Sequence, residues 1–178
     1  MPQKLFPDLP VICVAVNELD IPPELRSPRV TGIVQRADVR GTIELILRLH
    51  PDTRRIVVIG GTSPLGRTFL RKAEDLVRSF SGKVEFDFRT RSLAETQRAV
   101  ATLPQQTVLF FLTMQRDAEG QSFRSSTHVV ELLAKSASVP IYAIADTTIE
   151  SAHSTRTGDH HEGEVGGGSA PLVTIPAG

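Results

Sequence analysis

Short apolar runs punctuate this chain at Val11–Val16, Ile56–Ile59, Val84–Phe88, Thr107–Leu112 and Val139–Ile144. Several are rich in Val or Ile, and most are apolar at successive rather than alternate positions, as in parallel strands covered on both faces. Between them, apolar residues recur with helical spacing over Val39–Leu49, Pro64–Phe80, Leu93–Thr102 and Thr127–Ala137. Strand and helix therefore alternate. That order predicts an α/β fold, a three-layer Rossmann-like lobe with a mainly parallel sheet.

The helix starts are chemically explicit. Ser63 before Pro64 reads as an N-cap with proline at the first helical position, and Ser92-Leu93-Ala94-Glu95 matches a capping box. Asp38 is the cap expected for the helix carrying Ile43, Leu45, Ile46, Leu47 and Leu49, and Pro51 is placed to end it. Residues 17–29 are polar and contain prolines, which suits a crossover or hinge, and Val30–Val34 reads as a short extended segment. Beyond Thr148 few apolar residues remain, and an irregular, mobile tail is expected there.

Composition narrows the function classes. The chain has 178 residues, 40% of them hydrophobic, enough to bury the core of one domain. Lys and Arg number 20 against 20 Asp and Glu, and no segment concentrates the basic residues, which disfavours a nucleic-acid partner. The single cysteine, Cys13, lies in an apolar run, so neither an intrachain disulfide nor a cysteine-based zinc site is expected. No stretch approaches the ~20 apolar residues of a membrane span, and the N-terminus lacks the pattern of a signal peptide. The compartment stays open, periplasmic or extracellular if the chain belongs to an exported parent protein.

The chemistry-bearing stretch is Gly60-Gly61-Thr62-Ser63-Pro64-Leu65-Gly66-Arg67, where an apolar strand runs into glycines, hydroxyls and a helix start. Such a junction leaves backbone N–H groups and the positive end of a helix dipole at the carboxyl edge of a sheet, where α/β proteins hold ligands. Four readings are open. The Thr62 and Ser63 hydroxyls can hold a carboxylate, phosphate or hydroxyl of a small ligand. The turn also resembles that of short-chain NAD(P)-dependent reductases, with Ser63 where a glycine would admit pyrophosphate. It keeps the glycine spacing of a phosphate loop, but Arg67 stands in place of the lysine and Pro64 removes an amide. The fourth reading is a plain strand-to-helix turn.

Two further strand ends add candidates. Phe110–Gly120 runs into a polar loop in which Arg116 can clamp an anion and Asp117 can hold an amine, the alternative being an ordinary solvated loop. Ile141–Thr148 presents Asp146 at the same edge, as a ligand contact or a helix cap. His153, His160 and His161 with Asp159 and Glu162 invite a metal reading, but their spacing does not set two imidazoles on one helix face, and no metal or other cofactor is assigned. No nucleophile–histidine–acid order, paired-carboxylate signature or reactive-cysteine context stands out, so the expectation is a protein that is not an enzyme.

Four pieces, Phe6–Val16, Val30–Val34, Leu45–Ser63 and Pro140–Ile144, together resemble the ABC-transporter substrate-binding-like proteins, and in particular the versions used as sensor regions of bacterial histidine kinases. The resemblance implies a type I periplasmic-binding fold, two Rossmann-like lobes joined by crossovers with a ligand between them. In that register residues 1–36 are the end of a first lobe and the crossover, residues 37–148 a Rossmann-like lobe, and residues 149–178 the tail. The cleft residues would be Asn17, Thr62, Ser63, Arg116 and Asp146. The βα units that open the family's first lobe do not precede Phe6, and the family's return to that lobe after Asp146 is replaced by the His-rich tail. One wall of the cleft is then expected to come from another chain, or the sequence to be part of a longer protein.

The function these readings imply is a small-solute-binding or ligand-sensing module. Its partners would be a small polar solute and a missing lobe, permease or histidine kinase, with no direct membrane insertion. The alternatives are a Rossmann-type NAD(P)-dependent reductase, with Arg89 and Arg91 near a 2′-phosphate, and an orphaned lobe that serves only in protein association.

Overall fold

The computed structural model describes residues 11–17, 30–35 and 37–144. They fall into two units, residues 1–37 and 38–178. The first holds two parallel strands, β1 (Val11–Asn17) and β2 (Val30–Gln35), with an irregularity in register between Val14 and Val16. The segment read as merely extended at Val30–Val34 is thus a paired strand.

The second unit alternates helix and strand: α1 (Val39–Leu49), β3 (Arg55–Ile59), α2 (Pro64–Val77) with a 3-10 turn at Arg78–Phe80, β4 (Glu85–Arg89), α3 (Leu93–Val100), β5 (Thr107–Phe111), α4 (Ser126–Ala134) and β6 (Ile141–Ala143). Its sheet is four-stranded and entirely parallel, in the order β4-β3-β5-β6. This is the Rossmann-like three-layer α/β lobe that the alternating pattern predicts.

The caps behave as the sequence implies. Asp38 accepts from the Gly41 N–H and Ser63 from the Gly66 N–H, and Ser92 and Glu95 complete a reciprocal capping box. The helix expected over Pro64–Phe80 tightens into the 3-10 turn for its last residues, where Phe80 is buried beside Phe86.

Period-two alternation sorts the core. Val57, Ile59, Leu109, Phe111, Ile141 and Ala143 face Leu93 and Val100 of α3 and Val129, Val130 and Leu133 of α4. The intervening residues Ile56, Val58, Phe110 and Tyr142 share register across β3, β5 and β6 and point to the other face. There α1 packs on α2, burying Ile43, Ile46, Phe69, Leu70 and Ala73. The fully buried Tyr142 keeps its hydroxyl satisfied by His50 Nε2, 2.8 Å away at the end of α1.

Strand order reverses direction between β3 and β5. The chain leaves β3 toward β4 on one side, then crosses back to β5 on the other and continues outward to β6. Their carboxyl ends mark the reversal point at which open parallel sheets generally place ligands.

Candidate functional site

The Gly60–Arg67 turn leaves β3 at that reversal point, and the loop after β5 folds against it. Gly61 donates its N–H to the Thr113 carbonyl at 2.8 Å, and Thr62 donates its own to the Arg116 carbonyl at 2.8 Å. The Thr62 hydroxyl donates to the Asp117 carbonyl at 2.6 Å, and the Arg67 guanidinium reaches the Thr62 carbonyl. Thr62, Ser63 and Arg116 therefore lie together at the reversal point, although 54 residues separate Thr62 from Arg116. Ser63 is buried and its hydroxyl is engaged as the α2 cap, accepting from Gly66 at 3.1 Å. Removing it in Ser63→Ala is expected to cost about 1 kcal/mol in urea unfolding. An unchanged midpoint would mean that the first turn of α2 finds another acceptor.

The glycines of the turn are explained by crowding within the chain. A Cβ at Gly61 would lie 2.5 Å from the Arg116 carbonyl oxygen, one at Gly66 2.5 Å from the Gly61 carbonyl oxygen, and one at Gly60 2.7 Å from Leu70 Cγ. In a dinucleotide-binding turn such space admits pyrophosphate. Here the backbone of the 112–124 loop occupies it at Gly61.

Asp117 organises that loop. It is 1% exposed, and its carboxylate accepts from the Leu93 N–H at the start of α3 (3.0 Å) and from the Glu119 and Gln121 N–H groups (3.0 and 2.9 Å). The loop doubles back at Gly120, whose φ of 86° lies in the left-handed region, and Arg116 and Ser122 face each other across an antiparallel bridge. Ser126 fastens its other end, accepting from the Met114 N–H at 3.0 Å and bonding the Thr113 hydroxyl at 2.8 Å. Asp117, a candidate amine holder by sequence, is a structural acceptor instead, through its burial and its local backbone partners. Asp117 followed three positions later by Gly120 is the turn composition in which a carboxylate accepts from the amides of its own loop.

Asn17 ends β1 in the first unit, and Asp146 and the histidine-rich stretch lie outside the described residues. Among the described residues no cluster of three His, Cys, Asp or Glu side chains is placed to hold a metal, and no helix is long and apolar enough to cross a membrane. No buried side-chain polar atom among them lacks a partner, so the groups available to a ligand are the exposed ones, the Arg116 side chain first.

A concavity of about 230 Å³ opens at the opposite, amino edge of the sheet, lined by His50, Asp52, Thr53, Gln105, Gln106 and Thr107 among others. Composition and spacing gave no sign of it. It forms where the end of α1 and the start of β6 meet the turn before β5. Its backbone is engaged, the Gln106 carbonyl accepting from both Arg54 and Arg55, and His50 is held by Tyr142. The carboxyl edge, where strand order reverses and exposed cationic side chains gather, is the better candidate. No protein-family model, curated protein or solved structure matches the chain.

Proposed function

We propose that this chain is a binding module, not an enzyme, that takes a small polar solute at the carboxyl ends of its strands, in the manner of the substrate-binding proteins it resembles. The observation that carries this reading is the placement of Thr62, Ser63 and Arg116 at the reversal of strand order in a parallel sheet. The crowding at Gly61 favours it over a nicotinamide-dependent reductase, because the loop backbone stands where a pyrophosphate would have to approach. Tyr142 is buried against His50 and offers no exposed proton donor for hydride chemistry. A second wall, from a partner lobe, would close over the solute, and the solute's greater affinity for the closed arrangement would shift the population toward it. A permease or a histidine kinase would read that shift.

Thermal unfolding of the full chain against amino acids, sugars, organic acids, phosphate esters, NADH and NADPH tests the reading. A bound solute at a hundredfold excess over its Kd is expected to add about 2.7 kcal/mol and to raise the midpoint by several degrees. Stabilisation by a nicotinamide nucleotide alone would overturn the proposal in favour of the reductase. A cooperative transition moved by none of these compounds would point instead to a lobe that serves only in association.

A further inference from the structure

Resting on the binding-module reading, we infer that the carboxyl edge selects an anionic solute, one carrying a carboxylate or a phosphate group. The chain as a whole is electrically balanced, with 20 basic and 20 acidic residues, so local segregation of charge is informative. Topology brings four arginines to this edge: Arg67 in the first turn of α2, Arg91 between β4 and α3, and Arg116 and Arg124 in the loop between β5 and α4. Backbone hydrogen bonds tie their segments together, with Ala118 donating to the Arg91 carbonyl at 3.3 Å and Thr62 to the Arg116 carbonyl. All four side chains are exposed. Arg91, Arg116 and Arg124 make no side-chain hydrogen bond or ion pair among the described residues, and Arg67 is held only by the neutral Thr62 carbonyl.

The acids nearby are engaged elsewhere. Asp117 is buried and directs its carboxylate at three backbone N–H groups, Asp87 is paired with Arg89 at 2.6 Å, and Glu95 closes the capping box of α3. Glu119 is the one remaining carboxylate of the 112–124 loop. At the opposite edge Arg55 is neutralised by Glu85 at 3.0 Å, while Arg54 is exposed there without a side-chain partner among the described residues and serves as the control for charge alone. A guanidinium presents paired donors whose geometry fits a carboxylate or phosphate, so several unpaired ones on a ligand-binding edge favour an anion over a sugar or a cation.

Isothermal titration of the full chain with succinate, glycerol 3-phosphate, inorganic phosphate and glucose at two salt concentrations tests this. Succinate or a phosphate compound is expected to bind, more weakly at high salt. Arg116→Ala and Arg91→Ala should each weaken that binding about tenfold, the loss of one charge-assisted contact. Arg54→Ala, at the amino edge, should leave it unchanged, and Arg116→Lys should recover only part of the loss. Succinate binding without the phosphate compounds would assign a carboxylate, and the reverse a phosphate; either supports the inference. Glucose binding that ignores the arginine variants would overturn the anion assignment while leaving the binding module intact. Anion binding weakened equally by Arg54→Ala would overturn it as general charge attraction. Failure of every compound in this titration and in the wider unfolding panel would overturn both readings.

Discussion

Asp117→Ala is expected to destabilise the chain by about 4 kcal/mol, the largest loss expected from the polar contacts of the carboxyl edge. The carboxylate accepts from three backbone N–H groups, and alanine leaves all three without it. A buried donor stripped of its acceptor costs about 1–3 kcal/mol. The Leu93 N–H is buried and takes the full penalty, while the Glu119 and Gln121 amides sit in an exposed loop where water repays part of theirs. Loss of a negative charge at the N-terminus of α3 adds to this. At about 2–4 °C per kcal/mol for a chain of this size, the melting midpoint should fall by roughly 10 °C. Asp117→Asn keeps one acceptor oxygen and turns an NH2 group toward the remaining donors, so roughly half the loss is expected. Amide hydrogen exchange at Leu93, Glu119 and Gln121 should accelerate in both variants. Protection that survives in Asp117→Ala would mean that the loop is held by Ser126 and the Gly61–Thr62 bonds alone.

Gly61→Ala carries the second large effect, and its sign is the informative part. Gly61 is not among the positive-φ glycines, which among the described residues are Gly82 and Gly120. On backbone grounds alone, alanine at such a position would stabilise by about 0.4–1 kcal/mol through a less flexible unfolded state. The added Cβ, however, would stand 2.5 Å from the Arg116 carbonyl oxygen and 2.9 Å from Met114 Cα, both backbone atoms that no rotamer change can move. The loop must lift, breaking the bonds from Gly61 to Thr113 and from Thr62 to Arg116. A loss of about 3 kcal/mol is expected in urea unfolding, at the upper end for overpacking. Because the clash begins at Cβ, Gly61→Val should be only slightly worse. A stabilised Gly61→Ala protein would show that the loop does not rest on the turn. The space at Gly61 would then be open to a ligand phosphate, and the nucleotide reading would regain its ground.

Much of the lobe was legible along the chain because its signals are local. Asp38, Ser63 and the Ser92–Glu95 box act on amides three residues away, so their spacing is written in the sequence, and all three cap as expected. Helix ends are less legible. The stretch Pro64–Phe80 keeps its apolar period to the end, yet its last residues tighten into a 3-10 turn where Phe80 turns inward beside Phe86. The candidate site was legible only in outline. The strand ends placed Thr62, Ser63 and Arg116 on one edge, but whether the amides of the turn are free depends on which distant carbonyls reach them.

Sequence by itself thus determined the alternation of elements, the capped helix starts and the sheet's parallel character, each set by the residue period and by contacts within a turn. Tertiary structure alone decided the strand order, the use of Gly61 as a seat for the chain's own loop, the burial of Asp117, and the His50–Tyr142 pair across 92 residues. The physical reason is the range of the interactions. Asp117 finds its Leu93 donor 24 residues back, and Thr62 finds Arg116 54 residues ahead. Pairings of that separation follow from how the helices pack on the sheet, which no local spacing records.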